Sequence, residues 1–221
     1  MKKVIVFGIG DSAELIKYYF ENDELYKNEY KIIAFTIDKN FKKEEQFLGL
    51  PLVEFEKLEE IYPPNEYYLF NTIGYSKMNT LREKKYLEGK NKGYKYINYV
   101  SSKSVVNCEM GENNFIEEGV VIQPFVKIGN NNVIRYGTSI GHHTEILDNC
   151  FLAPRVAIAG RVKIANNCFL GINSTIFNHL ELKSHTLLSG GGILKRSTKQ
   201  NSVYISHNTD EIEKESFDIK L

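Results

Sequence analysis

A six-residue period of Ile and Leu runs through the second half of the chain. Ile or Leu occupies every sixth position from Ile116 to Leu194, fourteen times in succession, and Met110 extends the row by one step. The residue four places after each of these is mostly small. A period of six fits neither an α-helix nor a simple hairpin. One large and one small inward side chain per six residues predicts a coil with three flat faces.

Eighteen residues complete one such coil, so residues eighteen apart are expected to stack. Asn113, Asn131, Asn149 and Asn167 have this spacing. They predict a corner at which the backbone needs a left-handed residue, a conformation that Asn tolerates. Cys150 and Cys168 are also eighteen apart, and we interpret them as small buried fillers rather than as a redox pair.

The first 100 residues have a different pattern, in which strands and helices alternate. Strands are predicted at 3–7, 31–38, 66–73 and 94–100, and helices from Asp11 to Phe20, at 54–61 and at 77–89. This alternation predicts a small parallel sheet with right-handed crossovers. We therefore divide the chain into an α/β region at 1–100, a β-prism at 101–199 and a tail at 200–221.

The loop after the first strand has the pattern GxGxxA, formed by Gly8, Gly10, Asp11, Ser12 and Ala13. Glycines at such a turn let the backbone approach a phosphate at the start of the helix. A tight turn without a ligand is the alternative. Because only about 100 residues precede the prism, a nucleotide-linked sugar fits better than a dinucleotide. Asp38 follows the second strand at the same edge of the sheet, where ligands of such sheets bind.

Composition limits the classes of partner. The 28 basic and 28 acidic residues cancel, which argues against a nucleic acid as the ligand. No apolar stretch approaches the roughly 18 residues of a membrane span, so no membrane insertion is expected. The odd number of cysteines, three, argues against a disulfide framework and favours a reducing compartment. We expect a cytoplasmic protein.

Two adjacent histidines, His142 and His143, fall at a corner of the predicted coil. Gly160 is eighteen residues after His142, so its N–H should lie about one strand spacing from the histidine. A base beside a bare amide donor suits acyl transfer, because the donor polarises the carbonyl while the base takes a proton. An exposed turn histidine without a function is the alternative.

Three stretches carry a family resemblance: AGRVKI at 159–164, NCFLGINS at 167–174 and SGGG at 189–192. They resemble the PglD/NeuD-type sugar acetyltransferases of the hexapeptide-repeat superfamily. The resemblance implies a Rossmann-like N-terminal domain followed by a left-handed parallel β-helix. It also implies a homotrimer with acetyl-CoA in the groove between neighbouring prisms.

The resemblance assigns roles to individual residues. His142 falls on the catalytic base, and Gly160 falls on the residue whose N–H meets the acetyl carbonyl. The cofactor residues that it suggests lie near the groove: Gly160, Arg161, Gly190, Gly191, Gly192, Lys195 and Arg196. The candidates for binding the nucleotide-linked sugar are Gly8, Gly10, Asp11, Ser12, Asp38 and His143. No residue is assigned to a metal.

Three positions depart from the family pattern. His143 stands where the family usually has a carboxylate that orients the base. Ser12 stands in the first loop, where a histidine is common. The V-P-A ending of the last coil is absent, because the chain continues from Ser202 to His207 without it. These departures affect the acceptor site more than the site for acetyl-CoA.

The resulting prediction is an acetyltransferase that N-acetylates a nucleotide-linked amino sugar for bacterial surface glycan synthesis. An O-acetyltransferase of sialic-acid-type sugars remains open. A zinc lyase of the γ-carbonic-anhydrase type would need histidine ligands such as His143, His179 and His185, but Arg161 lies between the first two and His185 falls at another corner. A non-catalytic nucleotide-sugar-binding protein is the remaining alternative.

Overall fold

The computed structural model describes residues 1–207. The N-terminal region alternates strands and helices, as the sequence predicts. Its elements are β1 (Lys2–Phe7), α1 (Asp11–Asn22), β2 (Tyr30–Ile37), β3 (Gln46–Phe47), β4 (Leu50–Glu54), α2 (Leu58–Ile61), β5 (Tyr67–Asn71), α3 (Thr80–Asn91) and β6 (Lys95–Tyr96). Short 3-10 turns at Lys39–Phe41 and Phe55–Lys57 complete it.

The N-terminal sheet has the strand order β3-β4-β2-β1-β5-β6. All neighbours are parallel except β3 and β4, which form a short antiparallel pair at one edge. Strands β3 and β4 were not predicted from the sequence. A proline inside β4, Pro51, weakens the strand pattern, and the position is tolerated because it faces only the two-residue edge strand.

Two further predictions for this region need correction. The helix predicted at 54–61 is a 3-10 turn followed by one turn of α-helix. The strand predicted at 94–100 is two strands in different sheets, because Asn98 breaks it. The Asn98 side chain bonds Gly111 O and the Asn114 N–H, at 2.7 and 2.8 Å, so the chain leaves the N-terminal sheet and enters the prism there.

The rest of the described chain is a prism of three parallel sheets, which we name by their outer surfaces. The docked face contacts the N-terminal region and contains Tyr99–Val100, Phe115–Ile116, Val133–Ile134, Phe151–Leu152, Phe169–Leu170, Leu187–Leu188 and Val203–Tyr204. The apolar face contains Val105–Val106, Val121–Ile122, Ser139–Ile140, Ala157–Ile158, Thr175–Ile176 and Ile193–Leu194. The charged face contains Glu109–Met110, Lys127–Ile128, Glu145–Ile146, Lys163–Ile164 and Glu181–Leu182.

Each face pairs residues eighteen apart, for example Ile134 with Leu152 and Ile140 with Ile158. The Ile and Leu of the sequence repeat fill the interior, where all fourteen are buried. Cys150 and Cys168 are buried among them. The three-sided coil predicted from the period of six is therefore present.

The three edges between the faces also have names, defined by their residues. The cleft edge follows the docked-face strands (135–138, 153–156, 171–174 and 189–192). The histidine edge follows the apolar-face strands (123–126, 141–144, 159–162 and 177–180). The asparagine edge follows the charged-face strands (111–114, 129–132, 147–150 and 165–168).

One residue per edge has a left-handed backbone, so a positive φ recurs every six residues. From residue 113 to residue 191 the series is Asn113, Gly119, Phe125, Asn131, Gly137, His143, Asn149, Arg155, Arg161, Asn167, Asn173, His179, His185 and Gly191. The four stacked asparagines have φ between 55° and 62°, as predicted. Asparagine and histidine suit this conformation, whereas Phe and Arg strain the backbone there.

The outer surfaces of the three faces differ in chemistry. On the docked face, Phe115, Val133 and Phe151 pack with Phe20 and Phe70 of the N-terminal region in one buried cluster. On the charged face the exposed side chains alternate in sign up the prism, in the order Glu109, Lys127, Glu145, Lys163 and Glu181. The apolar face has no acidic or basic side chain in its strands.

A buried arginine joins α3 to the asparagine edge. The Arg82 side chain is fully buried and donates to the carbonyl oxygens of Asn131, Asn149 and Cys150, at 2.8 to 3.1 Å. It also donates to Gly74 O at 2.8 Å. Burial lowers the pKa of Arg82 to about 10, so the group stays charged at neutral pH and its charge is balanced by oxygen dipoles.

The prism continues past residue 199. Val203–Tyr204 pairs with Leu187–Leu188 as one more docked-face strand, although the sequence analysis placed a tail from residue 200. Residues 208–221 of that tail lie outside the described residues. In the described part of the chain, no helix has the length and apolarity that crossing a membrane requires.

Replacing Arg82 with Met should lower the free energy of unfolding by about 3 kcal/mol, since several buried carbonyl oxygens would lose their donor. Lys84→Met is the matched control, because the Lys84 side chain is 67% exposed. Urea denaturation of both variants tests this. Equal stability of the two variants would contradict the role assigned to Arg82.

Candidate active site

His142 lies on the histidine edge with its ring against Gly160. A Cβ on Gly160 would be 2.8 Å from His142 Nε2, so only glycine leaves room for the ring. The coils are close here as well, because a Cβ on Gly141 would be 2.5 Å from the Gly160 nitrogen. The ring and the bare glycine backbone are thus brought together, as the spacing of eighteen predicts.

Backbone contacts hold His142 in place. Its N–H donates to Gln123 Oε1 at 2.9 Å, and its carbonyl oxygen accepts from the Arg161 N–H at 2.9 Å. Within the described chain the Gly160 N–H donates to no protein acceptor. An exposed imidazole therefore stands beside an unused amide donor, the combination that acyl transfer needs.

The second histidine is in direct contact with the first. His142 Nδ1 and His143 Nδ1 are 3.0 Å apart. Loss of hydration lowers the pKa of His143, and the Arg161 guanidinium and the His142 ring lower it further. His143 is therefore mainly neutral at pH 7.

Arg161, Lys195 and Arg196 lie on the same side of the prism as His142. Lys195 and Arg196 follow the apolar-face strand Ile193–Leu194 and are exposed. Arg196 is two coils above Gly160, which is about 10 Å at the usual strand spacing. Lys195 Nζ lies 5.7 Å from the centre of the Phe177 ring. The prism thus has cationic side chains above the histidine.

A cleft of about 470 Å³ lies at the cleft edge, between the N-terminal region and the prism. Asp11, Ser12 and Tyr75 line it from the N-terminal side, and Arg135 and Gly190 line it from the prism. The Tyr75 ring is half-exposed, and its centroid lies 4.9 Å from that of Phe151 and 5.0 Å from that of Phe169. The cleft thus combines an aromatic surface with charged groups.

Arg135 is fixed by a buried carboxylate. Its Nε donates to Glu117 Oε2 at 3.0 Å, and its guanidinium lies 5.7 Å from the Phe115 ring. Glu117 is 1% exposed, and burial raises the pKa of its carboxyl group. With Nε occupied, the guanidinium still has its terminal nitrogens for a ligand in the cleft.

The predicted substrate residues do not all meet. Asp11 and Ser12 line the cleft, and Gly10 caps α1 beside it. Gly8, with φ of 120°, packs against Thr72. Asp38 is paired with Lys85 at 2.6 Å. His143 is on another edge, beside His142.

The predicted cofactor residues are also divided between two edges. Gly160 and Arg161 lie on the histidine edge, below Lys195 and Arg196. Gly190, Gly191 and Gly192 lie on the cleft edge. The two edges lie on either side of the same apolar face. Within one coil they are separated by about six residues of chain, which span at most ~20 Å when extended.

Four residues near the two sites were not predicted from the sequence: Gln123, Phe125, Tyr75 and Arg135. Gln123 and Phe125 could have been found from the period of eighteen, since they lie one coil below Gly141 and His143. Tyr75 and Arg135 gave no signal, because the cleft exists only through the docking of the N-terminal region. The described residues include no group of three or more His, Cys, Asp or Glu side chains placed to hold a metal ion.

Comparison with known proteins gives a local family-model match and a fold. A family model described as "Bacterial transferase hexapeptide (six repeats)" matches residues 107–142. No curated protein sequence matches the chain.

Several solved structures match over nearly the whole chain. Perosamine N-acetyltransferase of Caulobacter crescentus, in a variant with a histidine changed to asparagine and bound to CoA and GDP-perosamine, matches with a TM-score of 0.81 at 22% identity, over 92% of this chain and 93% of that one. The acetyltransferase domain of PglB from Neisseria gonorrhoeae, with acetyl coenzyme A, matches with a TM-score of 0.78 at 12% identity, over 91% and 95%. WeeI from Acinetobacter baumannii matches with a TM-score of 0.75 at 17% identity, over 92% and 96%. The chain has their fold.

The two glycines beside His142 should respond differently to a methyl group. Gly160→Ala would contact only the movable His142 ring, so stability should stay within about 0.5 kcal/mol while the ring turns away. Gly141→Ala would press on the backbone of Ala159 and Gly160 and should cost about 1–3 kcal/mol. Urea denaturation and crystal structures of both variants check this, and an unmoved ring in Gly160→Ala would contradict the packing described.

Proposed function

We propose that this protein is an acetyltransferase that transfers the acetyl group of acetyl-CoA to an amino group of a nucleotide-linked sugar. The observation that carries the proposal is the His142 ring beside the free N–H of Gly160. The matched solved structures support it, since they include sugar N-acetyltransferases bound to CoA and GDP-perosamine or to acetyl coenzyme A. We also propose that the prism is a left-handed β-helix and that the N-terminal domain is Rossmann-like.

His142 is the general base in this proposal. Neutral His142 accepts a proton through Nε2 as the amine attacks the carbonyl carbon of the thioester. The Gly160 N–H donates to the carbonyl oxygen as its negative charge grows. The C–S bond then breaks, the CoA sulfur takes the proton back from the imidazolium, and the amide product leaves. No covalent enzyme intermediate forms.

Acetyl-CoA runs along the histidine edge. Its thioester lies at Gly160, and Arg161, Lys195 and Arg196 supply positive charge for its phosphates. This direction follows from the position of the basic residues, two coils above the histidine. Gly190, Gly191 and Gly192 belong to the same cofactor groove if they come from a neighbouring copy of the chain.

The nucleotide-linked sugar occupies the cleft at Asp11 and Ser12. Tyr75 offers a face for stacking, and Arg135 offers free guanidinium N–H groups to a phosphate. One prism cannot bring this cleft to its own His142, because the two lie on different edges of the apolar face. Two copies can do so when the histidine edge of one meets the cleft edge of the next.

This contact joins two different surfaces, so it is heterologous, and it forms a closed ring when the rotation between copies closes. We propose a homotrimer with the three apolar faces directed inward. Val105, Val121 and Ile193 on that face are 64%, 44% and 60% exposed in a single chain, and such apolar side chains favour an interface. The charged face, with its alternating Glu and Lys, remains in water. The three free thiols fit a cytoplasmic location.

His142→Ala should reduce acetyl transfer by about 100-fold or more, because the proton acceptor is lost, while CoA still binds. Release of the CoA thiol with a panel of GDP- and UDP-linked amino sugars measures acetyl transfer, and calorimetry measures CoA binding. His185→Asn is the control, since His185 has a left-handed backbone that Asn tolerates and follows the charged-face strand Glu181–Leu182, away from the histidine edge. Near-full activity of His142→Ala would remove it as the base.

Two charges on the apolar face should dissociate the trimer. We expect the double variant Val121→Lys and Ala157→Lys to sediment as a monomer at micromolar concentration, with unchanged circular dichroism and no acetyl transfer. The matched double variant Lys127→Ala and Lys163→Ala on the charged face should remain trimeric and active. An active monomer, or dissociation by the charged-face variant alone, would contradict the arrangement.

A further inference from the structure

We propose that His143 is a positioning residue that accepts a hydrogen bond from Nδ1–H of His142 and thereby keeps the lone pair of His142 Nε2 directed at Gly160. The inference rests on the proposed function for its kinetic consequences, but its structural content stands on the contact between the two rings.

The geometry of the pair requires one donor and one acceptor. The two Nδ1 atoms are 3.0 Å apart, and the ring planes are perpendicular, with centroids 5.2 Å apart. Two nitrogens at this distance share a single proton, so one ring must present a lone pair. The far nitrogen of His142 lies over Gly160. A proton on His142 Nδ1 therefore leaves Nε2 as the base, whereas the reverse arrangement places the proton where the base is needed.

The position of His143 is enforced by the edge. Its backbone is left-handed, with φ of 57°. Phe125, one coil below, stacks on the His143 ring with centroids 4.7 Å apart and planes tilted by 35°. Phe125 is itself left-handed, with φ of 66°, and 71% exposed. A bulky aromatic residue is unfavourable in such a strained and exposed position. The contact of its ring with the His143 ring explains why Phe125 is placed there.

The charges around His143 keep it an acceptor. Arg161 stands one coil above it in the same left-handed column, and His142 lies beside it. Both groups disfavour a second positive charge, in agreement with the lowered pKa of His143. A protonated His143 could only donate and would repel the imidazolium that His142 forms during transfer. A neutral His143 orients His142 without adding a negative charge to the site.

The first test is independent of acetyl transfer. In protein labelled with ¹⁵N-histidine, long-range ¹H–¹⁵N spectra should show His142 with the proton on Nδ1 and His143 with the proton on Nε2. His143→Gly keeps the left-handed backbone and removes the acceptor, so His142 should shift toward the Nε2–H form. His185→Asn should leave the His142 signals unchanged. An unchanged His142 tautomer in His143→Gly would overturn the proposal.

The second test is kinetic. His143→Gly should lower kcat about 10- to 100-fold with little change in KM, the usual effect of losing an orienting partner. His143→Asp should restore most of kcat, because a carboxylate also accepts a hydrogen bond from Nδ1–H of His142. Wild-type kcat in His143→Gly, or a His143→Asp enzyme as slow as His143→Gly, would overturn the role.

The two tests separate the two claims. If no nucleotide-linked amino sugar is acetylated by the wild-type protein, the proposed function fails, and the tautomer of His142 still decides whether His143 orients it. If transfer is observed and the tautomer does not depend on His143, only this inference fails.

Discussion

The structure depends on a backbone constraint, one left-handed residue every six positions at the edges of the prism. Each such residue turns the chain through a corner without breaking the pairing of residues eighteen apart. The turns let Ile and Leu fill the interior, and they place His142 one coil below Gly160. On the asparagine edge, the amides of Asn113, Asn131 and Asn149 also bond to each other, as in the 2.7 Å contact from Asn131 Nδ2 to Asn149 Oδ1. At Phe125, backbone strain is accepted beside the candidate active site.

The same geometry gives the three faces separate roles. The docked face is covered by the N-terminal region, and Arg82 fastens α3 to one of its edges. The charged face alternates in sign from Glu109 to Glu181, which suits contact with water. The apolar face is bordered by the histidine edge on one side and by the cleft edge on the other. Within residues 1–207 the apolar face between these two edges is left uncovered, and the proposed trimer would bring the two edges together.

Much of this could be predicted from the sequence, because a period of six in large apolar residues permits only a three-sided coil. The same arithmetic placed Gly160 beside His142 and the four asparagines in a left-handed column. It could not place Asp11 relative to His142, because that relation depends on how the N-terminal region docks on Phe115, Val133 and Phe151. Strand β4 was missed because Pro51 interrupts its pattern, and Arg82 was missed because a buried arginine bound to backbone oxygens leaves no periodic signal.

The central claim is that one copy supplies His142 and its neighbour supplies the cleft. Complementation between two inactive variants tests it most directly. His142→Asn removes the base, and Gly74→Phe fills the cleft from a position where a Cβ meets nothing within 4 Å. Unfolded together in equal amounts and refolded, the two should recover about a quarter of wild-type acetyl transfer, the share of interfaces that pair an intact histidine with an intact cleft. Activity no higher than that of the separate variants, in trimers shown to be mixed, would contradict the account.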